Sequence, residues 1–307
     1  MIDRILVLGG AGFVGRHLVA ALAARGLRVT VPSRHRERAK HLLPLPTVEV
    51  VETDLMAPGV LEGLARGKQA LVNLVGILHG DFERVHVELP KRVVAVCRAE
   101  RVTRLLHMSA LGASLEAPSA YLRSKAMGEK AALSAPELDV TVFRPSVIFG
   151  PEDAFLNTFA ALARFFPVLP LACPQARFQP VYVVDVARAM GQALDSVDTH
   201  GKAYELCGPR QYSLRELVEL VCSITGRRRA VIGLPDRLAY LQALVMEKLP
   251  GKLITRDNLR SMQVANVCAG GFPFGIRPHA LEAVAPGYLA PGGPRERYPR
   301  LRWRARR

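Results

Sequence analysis

The chain has 307 residues, half of them apolar, and a formal net charge of +15. That length fills one large core or two smaller ones that share residues. Its five scattered cysteines (Cys97, Cys173, Cys207, Cys222 and Cys268), with no C-x-x-C pair and no histidine cluster at ligand spacing, argue against a disulfide framework or a zinc site. No apolar run reaches the roughly 18 to 20 residues of a spanning helix, and Met1 to Arg4 lead straight into an apolar strand without a signal or transit segment, so a reducing cytoplasm is the expected setting.

Short runs rich in Val, Ile and Leu alternate with longer amphipathic ones: RILVLGG, then GRHLVAALAARG, LRVTVPSR, VEVVETDL and QALVNLVGIL. Strands of that composition separated by helices are what a parallel sheet covered on both faces requires, so the first half reads as a doubly wound α/β fold. The turn after the first strand is GGAGFVG, which fits G-x-x-G-x-x-G on Gly9, Gly12 and Gly15 and G-x-G-x-x-G on Gly10, Gly12 and Gly15. It lies between a strand and a helix, where small residues let backbone N–H groups approach a pyrophosphate. Gly9, Gly10, Gly12, Phe13, Val14 and Gly15 are therefore candidate dinucleotide contacts.

The second strand ends in PSRHRERAK, with Ser33, Arg34, Arg36 and Arg38 where an acidic residue would hydrogen-bond a ribose hydroxyl. Arg34 and Arg36, with Ser33, suit a 2′-phosphate, which favours NADP(H), with NAD(H) as the alternative. Asp54 and Leu55 after the third strand are candidates to flank the adenine, although an aspartate there is also an ordinary turn residue. Leu74, Val75 and Gly76 after the fourth strand are candidates to lie against the ribose.

The fifth strand, RLLHMSALGA, delivers Ser109, and twelve residues later SAYLRSKAMGEK places Tyr121 and Lys125 one turn apart on a helix. Residues i and i+4 share a face, so both can point to one nicotinamide ribose. A nearby cation would favour the phenolate of Tyr121, which titrates near 10 unaided. Ser109, Tyr121 and Lys125 thus form a candidate trio for hydride transfer to a carbonyl. The bland reading pairs Lys125 with Glu129 and packs Tyr121 at a domain edge; Gly128, costly in a helix interior, marks close packing on the sheet. His79, His86 and His107 are isolated and read as ordinary hydrogen-bonding histidines.

Pro145 ends the sixth strand, VTVFRPSVIFG, and with Ile148 is a candidate to line the nicotinamide pocket. Prolines then break the alternation, and SLRELVELVCSITG and DRLAYLQALVMEKL suggest a mostly helical second region. The expected organisation is residues 1–150 and 177–206 as the nucleotide domain, 151–176 and 207–294 as a smaller substrate or partner lobe, and 295–307 as a basic tail. That tail, RERYPRLRWRARR, holds seven arginines against one glutamate. It suits docking on a membrane surface or an acidic partner; no specific nucleic-acid binding is expected, because only Tyr298 and Trp303 interleave with the arginines.

GGAGFVG, Ser109, the Tyr121 and Lys125 pair, and RPSVIFGP together resemble the short-chain dehydrogenase/reductase superfamily in its extended or atypical branch. The longer blocks SAYLRSKAMGEKAA, RPSVIFGPEDAFLNTFA, FQPVYVVDVARAM and GKAYELCGPRQYSLRELVE are similar to the NADPH-binding accessory subunit family of NADH:ubiquinone oxidoreductase, complex I, and its bacterial relatives. The resemblance implies a Rossmann-type doubly wound parallel sheet with a smaller, mostly helical C-terminal lobe. It also implies tightly held NADP(H) in a structural, assembly or respiratory-chain and quinone-associated role. The tail has no counterpart in the resemblance, and a respiratory-complex or membrane-surface partner on the inner face of a membrane, reached through it, is expected from its charge alone. Two alternatives follow from the same likeness: an active NADP-dependent oxidoreductase reducing a carbonyl or quinone-like substrate with Tyr121 as general acid/base, and a nucleotide-sugar epimerase or dehydratase.

Overall fold

The computed structural model describes residues 2–248 and 254–290, and the basic tail 295–307 lies outside the described residues. The chain divides into two units: the described part of Met1–Pro145 with Val183–Leu206 and Gly270–Ile276, and Ser146–Tyr182 with the described parts of Cys207–Ala269 and Arg277–Arg307.

The first unit is built on strands β1 (Arg4–Leu8), β2 (Arg28–Ser33), β3 (Val48–Glu52), β4 (Ala70–Asn73), β5 (Arg104–Met108) and β6 (Asp139–Pro145), with the edge strand Lys202–Leu206. They form one seven-stranded sheet in the order Lys202–Leu206, β6, β5, β4, β1, β2, β3. Every pairing in it is parallel. Strand order reverses between β1 and β4, which leaves a crevice at the C-terminal strand ends, the place where open α/β sheets take ligands.

Helices α1 (Phe13–Ala24), α2 (Val60–Ala65), α3 (Leu89–Ala99) and α4 (Ala120–Leu133) are the crossovers that the alternating sequence pattern required. Alternation along β1 sends Leu6 and Leu8 into a core cluster with Leu61 of α2, Val93 and Cys97 of α3, Leu71 and Leu105. Ile5 and Val7, also fully buried, point the other way. On α1, Leu18, Val19 and Leu22 are buried at helical spacing, and that helix packs against Val183–Ala193. Truncating such a leucine to alanine costs about 2–5 kcal/mol.

The second unit is mostly helical, as expected. Helix Phe155–Phe165 opens it, and helix Leu214–Ile224 starts at a capping box: the Ser213 hydroxyl accepts the Glu216 N–H, and the Glu216 carboxylate accepts the Ser213 N–H. Short strand pairs, Val168–Leu171 with Ala230–Gly233, Ile148–Phe149 with Val181–Tyr182, and Arg177–Phe178 with Tyr212–Ser213, complete it. The apolar run FLNTFAALARFFPVL contributes Phe155, Leu156, Phe159 and Ala163 to this unit's own core.

One expectation fails here. Cys207 and Cys268 form a disulfide, with Cα atoms 6.0 Å apart across 61 residues of sequence. Their approach is set by neighbours: Asn266 bridges to Phe178, and the Cys268 N–H donates to Gln179 Oε1 at 3.0 Å. The scatter of cysteines therefore does not argue for a reducing compartment. Among the described residues no helix is long and apolar enough to cross a membrane.

Candidate functional site

The glycine turn is shaped by backbone proximity. Gly9 has φ of 77°, a conformation that L side chains rarely adopt, and a Cβ there would lie 3.1 Å from the Leu74 carbonyl carbon. A Cβ on Gly15 would overlap the Gly9 carbonyl oxygen, so α1 can ride directly over the turn only because Gly15 has no side chain. Gly12 caps α1 without a side-chain bond, and the first turn carries no acidic residue. The opening N–H groups of a helix have no intrahelical acceptor, so Phe13, Val14 and Gly15 present donors and a positive helix end at the crevice.

The ends of β2, β3 and β4 lie on the same edge of the sheet. The Ser33 hydroxyl donates to the His35 carbonyl at 2.9 Å, and Arg34, Arg36 and Arg38 are exposed beyond it. Asp54 is exposed and its Oδ1 accepts the Met56 N–H at 3.0 Å, which makes it a turn residue. Leu55 is half-buried against the core cluster. After β4, the buried Asn73 accepts the Val75 N–H at 3.1 Å and fixes Leu74 to Gly76 at the crevice.

On the β5 side, Ser119 caps α4 by accepting the Leu122 N–H at 3.2 Å. This start presents Tyr121 and Lys125 on one helix face. Lys125 is buried, and its Nζ donates to the Met108 carbonyl at 2.7 Å. A Cβ on Gly76 would stand 3.7 Å from that Nζ and the same distance from His86 Nε2, so these three groups converge on one spot. Ser109, the next residue after Met108, is buried; its N–H bonds the Phe143 carbonyl at 2.7 Å, while its Oγ has no hydrogen-bond partner among the described residues. Pro145 ends β6 and accepts the Leu111 N–H at 3.0 Å. Ile148 belongs to the second unit, in the strand paired with Val181–Tyr182.

Two local readings of α4 are corrected. Glu129 does not take Lys125 as its hydrogen-bonding partner; it forms a salt bridge with Arg144 of β6, whose Nε reaches its two oxygens at 3.1 and 3.0 Å. The forked guanidinium matches a carboxylate at two points, which a lysine one turn away cannot do. Gly128 does not mark packing on the sheet. A Cβ there would overlap the His86 carbonyl oxygen, in a π-type turn over Glu83–Glu88 that leads into α3.

His86 is the hydrogen-bonding histidine its sequence reading expected, but its place against Tyr121 was not read from the sequence. Its Nε2 accepts the Ile77 N–H at 3.0 Å, so Nδ1 carries the proton and meets Ser124 Oγ at 2.8 Å; Ser124 in turn donates to the Tyr121 carbonyl at 2.8 Å. The His86 ring also stacks on Phe82 and meets the Tyr121 ring edge-on, with centroids 5.7 Å apart. A usable signal was Pro90, which has no N–H to return to the His86 carbonyl four residues back and so disfavours a regular helix across that point.

Burial dominates the electrostatics. It pushes the Lys125 ammonium down to about 8, with Glu129 pulling the other way. It pushes the Tyr121 phenol up to about 12, the direction opposite to the lowering expected from a neighbouring lysine. His86 and His107 are each pushed down to about 3 by burial and then by the Lys125 charge, and both are neutral at pH 7. The arrangement can receive an anion at the turn, offer one cationic donor beside Gly76, and set a hydroxyl and a phenol near it. The close glycine turn, the Ser109 Oγ without a partner among the described residues and the Lys125 Nζ beside Gly76 fit a dinucleotide.

Residues 5–207 match the model of the NAD dependent epimerase/dehydratase family. The chain is 30% identical over 291 residues to NADH dehydrogenase [ubiquinone] 1 alpha subcomplex subunit 9, mitochondrial, of Rattus norvegicus, a match covering 90% of this chain and 77% of that one. It is 31% identical over 238 residues to the ceramide reductase of Caulobacter vibrioides, covering 76% and 74% respectively. Among solved structures, dTDP-glucose 4,6-dehydratase of Streptomyces venezuelae with NAD bound has the same fold, at a TM-score of 0.67 and 24% identity over 77% of this chain and 85% of that one. With its seven-stranded parallel sheet, glycine turn and these matches, the chain belongs to the NAD dependent epimerase/dehydratase family, in the atypical branch of the short-chain dehydrogenases/reductases.

Proposed function

We propose that this protein holds NADP(H) tightly and serves a structural, assembly or respiratory-chain-associated role in that loaded form. The observation that carries this reading is geometric: a turn closed over Gly9 and Gly15, and the buried Lys125 whose Nζ donates to the Met108 carbonyl at 2.7 Å beside Gly76, with Tyr121 one turn away and its acidity weakened by burial. The glycine turn and the start of α1 would receive the pyrophosphate, Ser33, Arg34 and Arg36 the 2′-phosphate, and Lys125 the hydroxyls of the nicotinamide ribose. NADP(H), when bound, supplies or accepts a hydride at its nicotinamide ring. The likeness to the mitochondrial NADH dehydrogenase subunit, which extends over 90% of this chain, supports a respiratory-complex partner, with the basic tail docking at the inner face of a membrane.

A second reading is an NADP-dependent reductase of a carbonyl or quinone-like substrate. It is favoured by Ser109 Oγ, a buried hydroxyl with no partner among the described residues, next in sequence to the residue that accepts from Lys125, and by the likeness to ceramide reductase. There Ser109 and Tyr121 would share the substrate oxygen, and Lys125 would ease the loss of the phenol proton.

Gentle purification, release of the nucleotide, its identification by mass and the timing of its exchange test the choice. The holding role predicts stoichiometric NADP(H) with slow exchange. Fast release with steady NADPH oxidation on a carbonyl or quinone panel, abolished by Tyr121→Phe, overturns it in favour of the reductase. Recovery of NAD in place of NADP overturns the role given to Arg34.

A further inference from the structure

The second unit exposes apolar side chains on three adjoining elements. Helix Asp236–Met246 has eight apolar residues among eleven, and Leu238, Leu241 and Val245 on it are exposed by 51%, 53% and 51%. A helix apolar on most of its circumference needs an apolar neighbour on every side, and this one buries Ala239 and Ala243 only. Gln242 Nε2 donates to the Pro170 carbonyl at 3.2 Å, which lays the helix beside strand Val168–Leu171. That strand pairs with Ala230–Gly233, whose Ile232 is exposed, and it follows Phe165 and Phe166 at the end of helix Phe155–Phe165.

Arginines border these elements, most of them in the segment that leads into Ala230–Gly233. Arg229 Nε donates to the Ala163 carbonyl at 2.7 Å, which holds the run Arg227, Arg228 and Arg229 against the helix end that carries Phe165. The guanidinium of Arg164 lies 5.7 Å from the centroid of the Phe165 ring. Arg228 and Arg237 are exposed. The acids on the helix, its flank and the neighbouring helix Arg256–Ser261 are Asp236, Glu247 and Asp257, and Glu247 is taken by Arg256 at 2.9 Å.

Charge decides what covers this face. The chain's own arginine-rich tail would be repelled by it, and a second copy would bring the same arginines against their equivalents. Half-exposed Leu and Phe side chains bordered by arginines match the boundary of a bilayer, where apolar groups enter the acyl region and guanidinium groups meet phosphates. We propose that this face of the second unit, centred on Leu238, Leu241 and Phe165, docks on an anionic phospholipid bilayer. It does so independently of the tail and of whether the nucleotide turns over.

The test is co-sedimentation of the full-length, nucleotide-loaded protein with vesicles of phosphatidylcholine containing phosphatidylglycerol, against phosphatidylcholine alone. The wild type is expected to sediment with the anionic vesicles and to be released by rising salt. Leu238→Ser with Leu241→Ser lowers the partition by about tenfold or more, and Arg228→Ser with Arg237→Ser by roughly fivefold per cation. Because all four positions are exposed, thermal midpoint and nucleotide content stay at wild-type values, which separates lost docking from lost folding. Serine at the seven tail arginines leaves a lipid-charge-dependent binding that the Leu238/Leu241 pair removes. Binding that disappears with the tail and survives the leucine substitutions overturns the proposal. So does equal binding to both vesicle types, or none, or a self-association in sedimentation equilibrium that the leucine substitutions dissolve in the absence of vesicles.

Discussion

Lys125→Met separates the cost of burying an ammonium from the use made of it. Methionine keeps most of the stem and its packing but carries neither charge nor donor. Burial lowers the group from the ordinary 10.5 to about 8. At 1.36 kcal/mol per tenfold change in proton affinity, keeping Lys125 charged inside the fold at neutral pH costs about 3 kcal/mol relative to water. The substitution removes that cost but leaves the Met108 carbonyl without its donor, a loss of about 1–3 kcal/mol. The nucleotide-free variant is therefore expected to match the wild type at pH 7 to within about 2 kcal/mol.

The sign of the pH dependence follows from the same numbers. Between about pH 8 and 10.5 the unfolded chain keeps a Lys125 proton that the folded chain has released, so wild-type stability rises with pH through that window relative to Lys125→Met. Cys97 and Tyr121, whose acidities burial weakens, act in the opposite direction but are common to both proteins and cancel in the difference. Urea midpoints of the stripped proteins from pH 7 to 10 measure the difference, expected to move by up to about 3 kcal/mol in favour of the wild type. NADPH dissociation, followed by its fluorescence, is expected to be faster in the variant. A variant destabilised equally at every pH would refute the reasoning, because Lys125 would then be a structural donor and not a buried charge awaiting a ligand.

Gly128→Ala drives a methyl group into the His86 carbonyl, so the π-type turn must shift; overpacking of this kind costs about 1–3 kcal/mol, more than alanine's gain in helix propensity. A thermal midpoint equal to or above wild type would show that the turn yields freely. His86 and His107, at about 3 in the fold, are expected to show flat ring-proton shifts from pH 8 to 5. Their neutral forms contribute stability that is present above 6.5 and lost as pH falls from there toward 3, because the unfolded chain takes up protons that the fold refuses. A His86 titration centred near 6.5 would refute that burial.

What could be read from the residues were features with a local period. Valine-rich runs between amphipathic ones specify parallel strands and crossovers whatever lies elsewhere, and glycines between a strand and a helix specify a close turn. His86 was not legible in this way: its environment is made by Ser124, 38 residues on, and by Gly128, which reaches its carbonyl. Gly128 itself was visible as an anomaly in a helix, but the partner it makes room for was not. Cys207 and Cys268 meet because the residues beside each, Gly208 on one side and Asn266 to Cys268 on the other, bond to the earlier segment Phe178 and Gln179, which no spacing rule encodes. The second unit's helices followed from their periodicity, while its short strand pairs are set by tertiary neighbours.

The exchange of partners around Glu129 decides what Lys125 is free to bind. An i to i+4 rule pairs Lys125 with Glu129 and would leave the lysine neutralised on the helix, with its affinity for a ribose spent. Arg144, brought across from β6, claims that carboxylate through a two-point contact instead. Glu129 is then near enough to moderate Lys125 without binding it, and burial leaves the ammonium held by one neutral carbonyl. A cation so placed is costly until a ligand supplies oxygens to the donors it has left. If Lys125 holds a ribose as proposed, the Glu129 and Arg144 pair would serve the site without touching a nucleotide, because it leaves Lys125 unpaired by that carboxylate.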